Sequence, residues 1–288
     1  MPAARFTDIY VESLVISSDA ASKQEGTRSL TEAEVLGNMF FYVMAGFDTT
    51  STTLSFMFLL LALHPSSQIQ LQKQLDSVLG TKKSSEWSSE QVIPQLLEGY
   101  LGAVISETLR LYHPVAWYAR KAVHDTTVTD SKGISHIIPA DTVIMIDVAA
   151  IGRHPSYWGA RATSNEHSPA LDFDPSRWLN TEGQLEVKNE AAFPFSTGHR
   201  MCPGKRFAEV EMCAMVARFF SQFSLCLEPN KSDIFEAESA KHNQAWLEQK
   251  TRDRAANAMF EGLGFGHGIY PKSHVPFTIL TRNNRVSR

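Results

Sequence analysis

The stretch FSTGHRMCPG, Phe195 to Gly204, decides how this chain reads. A single cysteine is ordinarily a small buried hydrophobe. Here Cys202 stands in a loop whose other residues have separate uses. Pro203 suits the first position of a helix, so a helix is predicted to begin directly after the cysteine. A thiol at a helix N-terminus has its thiolate favoured by the dipole and by backbone N–H groups. Gly198 permits a tight turn, and Gly204 removes a side chain where another group can approach. Arg200 offers a fixed cation, and Phe195 offers a flat aromatic ring.

A thiolate with one open face, a neighbouring cation and a flat ring suits an axial ligand to haem iron, with Arg200 against a propionate. Working outward, the 288 residues are 43% hydrophobic and 20% charged, the profile of a globular chain with a sizeable core. The formal net charge of −4 gives no reason to expect nucleic acid as a partner. Cys202, Cys213 and Cys226 form no CxxC and cannot all pair, which points to a reducing compartment. The opening MPAARFTDIYVESLVISS lacks the pattern of a signal peptide.

Residues 1–29 read as a connector containing the polar run SSDAASKQEGTRS. Thr31 followed by Glu34 is a capping box, with Ser29 a further possible cap. The helix they open is expected over 30–64, ended by Pro65. Its segment 39–65 is long enough to cross a bilayer. Asp48 and a run of Ser and Thr lie at the segment's centre, where an aspartate costs about 2.5–3.5 kcal/mol on insertion scales. A buried helix of a soluble domain is therefore expected rather than a membrane anchor.

An amphipathic helix follows over PSSQIQLQKQLDSVLG, then another over about 96–112. Sheet is expected through AWYARKAVHDTTVTD and HIIPADTVIMIDVAAIG, around the turn SKG. A long loop spans 153–194 and is read as functional or wrapped over something. Helices over KRFAEVEMCAMVARFFSQF and about 237–260 and a hairpin-like end complete a mainly α chain with a small β region. No repeat and no domain boundary stand out.

Two further motifs carry chemistry. In AGFDTT, Ala45 to Thr50, the Thr49 hydroxyl can bond back to the Ala45 carbonyl. Asp48 and Thr49 then put a carboxylate and a hydroxyl in an apolar wall, as in a proton relay. A polar stripe meeting solvent would look the same. In ETLR, Glu107 and Arg110 share one helical face. Most such pairs are exposed and contribute little, but Val104, Ile105, Leu109 and Leu111 around this one imply partial burial.

Phe195, Gly198, Arg200, Cys202 and Gly204 resemble, position for position, the FxxGxRxCxG haem-binding loop of the cytochrome P-450 family. AGFDTT resembles the [AG]GxDT[TS] signature of that family's distal helix, and ETLR its ExxR pair. FDPSRW resembles the segment supplying the pair's second arginine, Arg177, with Ser176 where a glutamate is usual. The resemblance implies the C-terminal portion of a cytochrome P-450 fold, with about as much chain again upstream in a typical member. It implies haem b held by Cys202, proton delivery by Asp48 and Thr49, and a structural triad of Glu107, Arg110 and Arg177. Arg120 would bind a propionate. Ala45, Phe47, Val115, Ala116, Trp117 and Phe265 would face an apolar organic substrate.

The resemblance further implies monooxygenase chemistry, electrons from NADPH through a separate flavoprotein reductase, and the cytosolic face of the endoplasmic reticulum membrane, although no anchor is legible. Lys205 and Arg206 could meet such a partner or be a solvated pair. AWLEQKTRDRAANAMFEG is similar to fungal members, which suggests secondary metabolism. Alternatives are a haem-thiolate isomerase, dehydratase or peroxide-using enzyme, which the complete AGFDTT argues against, and a truncated non-catalytic product.

Overall fold

The computed structural model describes residues 30–81, 84–159, 168–187, 191–260, 263–265, 269–271 and 275–282. The chain divides into two compact units, 1–50 and 51–288, and each is described by itself.

Helix α1, Glu32–Leu63, runs unbroken for 32 residues. Its start obeys the capping box: Glu34 N–H donates to Thr31 Oγ1 (3.3 Å), and Thr31 N–H donates to Glu34 Oε2 (2.8 Å). The alternative cap, Ser29, lies outside the described residues. Helix α1 stops at Leu63, short of Pro65. That proline occupies the first turn of α2, Pro65–Leu79, where its missing N–H costs no hydrogen bond. Among the described residues α1 is the helix long and apolar enough to cross a membrane by length and composition, and 44% of its most apolar window is buried.

The helix expected over about 96–112 spans Tyr100–Leu111 (α4), and an additional helix, α3 (Ser89–Leu97), precedes it. Gly99 separates them as the N-cap of α4. Strands β1 (Trp117–Lys121) and β4 (Val143–Asp147) pair antiparallel, as do β2 (Thr126–Thr129) and β3 (Ser135–Ile138). The sheet expected to continue through VAAIG stops at Asp147, whose carboxylate accepts from Ala150 N–H at 2.8 Å. That cap turns the chain into α5, Val148–Arg153, a local hydrogen bond overriding β-branched propensity.

The expected long loop contains α6 (Pro155–Trp158) and short 3₁₀ turns at Pro169–Leu171 and Pro175–Trp178. Helix α7, Lys205–Phe220, begins two residues later than expected, with Gly204 rather than Cys202 as its cap. The late helical stretch comprises α8 (Lys231–Ser239) and α9 (Gln244–Phe260), the second covering most of the expected 237–260. Asn230 caps the first of these, and Lys241, at φ 56°, breaks the chain between them. At the end, β6 (Leu263–Phe265) pairs with β7 (Ile269–Pro271), while β8 (Phe277–Thr281) pairs with β5 (Phe223–Leu227). The fold is thus mainly α with small sheets.

The core of the larger unit joins the C-terminal half of α1 to α2, α4 and α7 through residues such as Phe56, Leu61, Leu71, Leu101, Val216 and Phe220. Buried Gln68 and Gln72 tie α2 to β5. Gln68 donates to Leu225 O and accepts from its N–H, and Gln72 donates to Phe223 O.

Candidate functional site

The most complete constellation is centred on Glu107, which is fully buried. Its Oε2 accepts from Arg110 Nε (2.7 Å) and Trp178 Nε1 (2.8 Å). Its Oε1 accepts from Arg110 Nη2 (2.8 Å), Arg177 Nε (2.9 Å) and the Asp174 N–H (2.9 Å). A buried carboxylate is tolerated only when paired and hydrogen-bonded in this way. Arg110 in turn spends all five donors a guanidinium possesses: three go to the Gly152, Ala170 and Asp172 carbonyls, and two to Glu107. Arg177 Nη2 also reaches the Pro169 carbonyl at 3.2 Å.

Glu107, Arg110 and Arg177 therefore come together, and Trp178 joins them. Nothing in the spacing of ETLR marked Trp178, although it stands beside Arg177 in FDPSRW. Ser176, the departure from the usual glutamate, donates from N–H (3.0 Å) and Oγ (2.5 Å) to Asp174 Oδ1, so it helps form the turn rather than loosening it. A Cβ added at Gly152 would stand 2.3 Å from the Arg110 carbonyl oxygen, so only glycine lets α5 lie this close to α4.

The cysteine loop is held at its ends. Cys202 N–H donates to the Phe195 carbonyl (2.8 Å), and Met201 N–H to Gly198 O (3.0 Å). Gly198 sits at φ 67°, and Ser196 at 63°, the left-handed region that glycine enters freely and serine rarely does. Cys202 is half-buried. A Cβ built at Gly204 would meet its Sγ at 3.9 Å and nothing nearer, so a side chain there would lie against the sulfur. Phe195 packs against the core, with Lys205 Nζ 5.9 Å from its ring centre. Arg200 lies in the 3₁₀ turn Gly198–Arg200 and is exposed.

Strand β1 brings Arg120 to this loop. Its Nη2 lies 3.3 Å from Ser196 Oγ, and its Cζ lies 5.7 Å from the centre of the Tyr118 ring. Burial first, and the charge of a Cys202 thiolate second, push the Tyr118 phenol up to about 12, with Arg120 opposing. Val115 and Trp117 are exposed, while Ala116 packs on the core. A nearby cavity of about 20 Å³, bordered by Ser106, Arg110, His113 and Phe193, has room for one water molecule and not for an organic substrate.

In the smaller unit, Thr49 Oγ1 donates to the Ala45 carbonyl at 2.7 Å, the back-bond expected from AGFDTT, and α1 continues through it. Asp48 is half-buried; Ala45 and Phe47 are exposed. A Cβ at Gly46 would meet nothing within 4 Å. Phe265 belongs to β6, and its side chain lies outside the described residues.

The Cytochrome P450 family model matches residues 5–248 of the chain. Cytochrome P450 3A13 of Mus musculus is 31% identical over 212 residues, 74% of this chain and 38% of that protein. Thromboxane-A synthase of Mus musculus is 32% identical over 215 residues, 74% and 36% respectively. Cytochrome P450 monooxygenase 124 of Postia placenta is 30% identical over 205 residues, 70% and 36%. The chain thus spans well under half the length of the curated relatives it matches.

Proposed function

The chain belongs to the cytochrome P450 family, and from that premise we propose that it carries the haem-binding and proton-handling residues of a haem-thiolate monooxygenase. The residues fit the group. The donor is a single sulfur beside Gly204, where any side chain would lie against it, the ring of Phe195 is seated on the core, and Arg120 reaches the same loop. Cys202 Sγ would be the metal ligand, and Arg120 and Arg200 would meet the propionates. When bound, the haem supplies an iron centre at which thiolate ligation favours O–O cleavage.

The remaining residues hold, orient and pass protons. Thr49 Oγ1, tied to the Ala45 carbonyl, presents a hydroxyl in one fixed orientation, and Asp48 beside it holds a carboxylate proton acceptor. Together they would hold and pass a proton. Glu107, Arg110 and Arg177 act as structure: they pin the segment 169–178 against α4. Val115, Ala116 and Trp117 of the larger unit would face an apolar substrate, and Ala45, Phe47 and Phe265 are each assigned the same role by the family resemblance alone. The substrate would be an apolar organic molecule, with electrons from NADPH through a separate flavoprotein reductase. The setting would be the cytosolic face of the endoplasmic reticulum membrane and the pathway a secondary-metabolic one.

The observation that carries this proposal is the half-buried Cys202, its backbone N–H held by the Phe195 carbonyl, with a glycine at 204 standing beside its Sγ. Haem-reconstituted chain, reduced under carbon monoxide, is expected to give the thiolate-type Soret band, and Cys202→Ala is expected to abolish it. A band that survives the substitution overturns the assignment. A second reading, a non-catalytic product, is favoured by the exposure of Phe40, Phe41 and Phe47. Stoichiometric, thiolate-ligated haem uptake by the chain counts against it.

A further inference from the structure

We propose that His113 is a positioning residue that sets where the Cys202 loop sits, by clamping the carbonyl of Pro194 at its root. His113 follows α4 and is 3% exposed. Its Nδ1 accepts the Val115 N–H at 3.0 Å. An accepting Nδ1 carries no hydrogen, which assigns the ring proton to Nε2. Nε2 lies 2.6 Å from the Pro194 carbonyl, so it donates there. The Tyr118 hydroxyl donates to the same oxygen at 3.3 Å and stands 3.3 Å from Nε2. Two donors from the segment 113–118 thus converge on one carbonyl some eighty residues away in sequence.

Fixing that carbonyl fixes the two residues after it. Phe195, the first of them, supplies the oxygen that receives the Cys202 N–H. Ser196, the second, is at φ 63°, a conformation that persists only where the surroundings hold it. His113 pins the chain just before these residues, and Arg120 reaches the Ser196 Oγ. Thr197 to Met201 are exposed, so the loop's register is decided at its root. Burial keeps the imidazole neutral, which is the form that can accept from Val115 and donate to Pro194 at once.

The proposal deepens the functional reading, since the loop it places carries the proposed ligand, but its test needs no haem. In the intact apo-chain, limiting iodoacetamide labels Cys202 and the exposed Cys226, and peptide mass spectrometry gives the ratio of their rates. His113→Ala is expected to raise the Cys202/Cys226 ratio about five- to tenfold, the scale of one lost buried hydrogen bond. His113→Gln, which returns an N–H donor, is expected to stay within about twofold of the parent. Equal ratios in parent and Ala variant, or Ala and Gln variants that behave alike, overturn the proposal.

Buried Cys213 reports unfolding. Should it label as fast as Cys226 in His113→Ala, the measurement passes to Tyr118→Phe, which keeps the ring and loses one donor. There a rise of about two- to threefold supports the clamp, and no rise refutes it. A failure of haem ligation by Cys202 would leave these ratios unchanged, so the two proposals fail separately.

Discussion

The two halves of α1 are alike in composition and opposite in environment. Between Leu36 and Phe47, six large apolar side chains, among them Phe40, Phe41 and Phe47, are 45–71% exposed. Between Leu54 and Ala62, Leu54, Phe56, Met57 and Leu59 to Ala62 are buried. The helix is continuous through both, so its formation does not depend on local burial. Covering a large apolar side chain is worth about 1.5–3 kcal/mol, a gain the first half forgoes and the second half realises. Helicity and burial are therefore decided by different parts of the sequence.

The largest effect is expected from the clamp on α4, the helix against which the covered half packs. Glu107→Ala leaves Arg110 buried without its counter-charge, which costs about 3–5 kcal/mol, toward the upper end because five donors lose their acceptor. Urea denaturation should show a lowered midpoint or no cooperative transition, and a wild-type midpoint would mean the clamp is dispensable. Phe56→Ala, which removes a fully buried ring stacked at 4.4 Å on Tyr112, should cost about 3–4 kcal/mol in the same assay.

The partner ring gives a pH test. Burial pushes the Tyr112 phenol from 10.0 up to about 12, opposed by Arg153. The unfolded chain then releases this proton first, so the contribution is intact below pH 10 and is lost as pH rises toward 12. The slope from this group is about 1.4 kcal/mol per pH unit, and Tyr112→Phe should remove it from stability measured against pH. The smallest effect belongs to the exposed half. Phe40→Ser should change stability by no more than about 0.5 kcal/mol while reducing self-association in light scattering. A cost comparable to that of Phe56→Ala would erase the contrast between the halves.

The Glu107–Arg110 pair was legible because an i,i+3 spacing is local. Most of its partners were not. The carbonyls of Gly152, Ala170 and Asp172 are backbone groups that every residue possesses, so no side chain advertises them. Trp178 stood next to the arginine that was read, but an indole is chosen as a donor only once the turn Pro175–Trp178 aims it. Asp147 was missed as a cap because the β-branched residues around it argued for strand. His113 carried no signal at all: a histidine before a proline is unremarkable until Pro194 arrives opposite its ring.

What the amino-acid order determined alone was whatever closes within a few residues. The Thr31–Glu34 box, the Thr49 bond to the Ala45 carbonyl and the glycine turn at 198 are of this kind, because their partners come with the helix or turn itself. Tertiary structure decided which half of α1 is covered, which carbonyls receive Arg110, and how His113, Tyr118 and Arg120 meet the root of the cysteine loop. Those outcomes depend on segments from about forty to about 160 residues apart, and their energy exists only after the chain has brought them into contact.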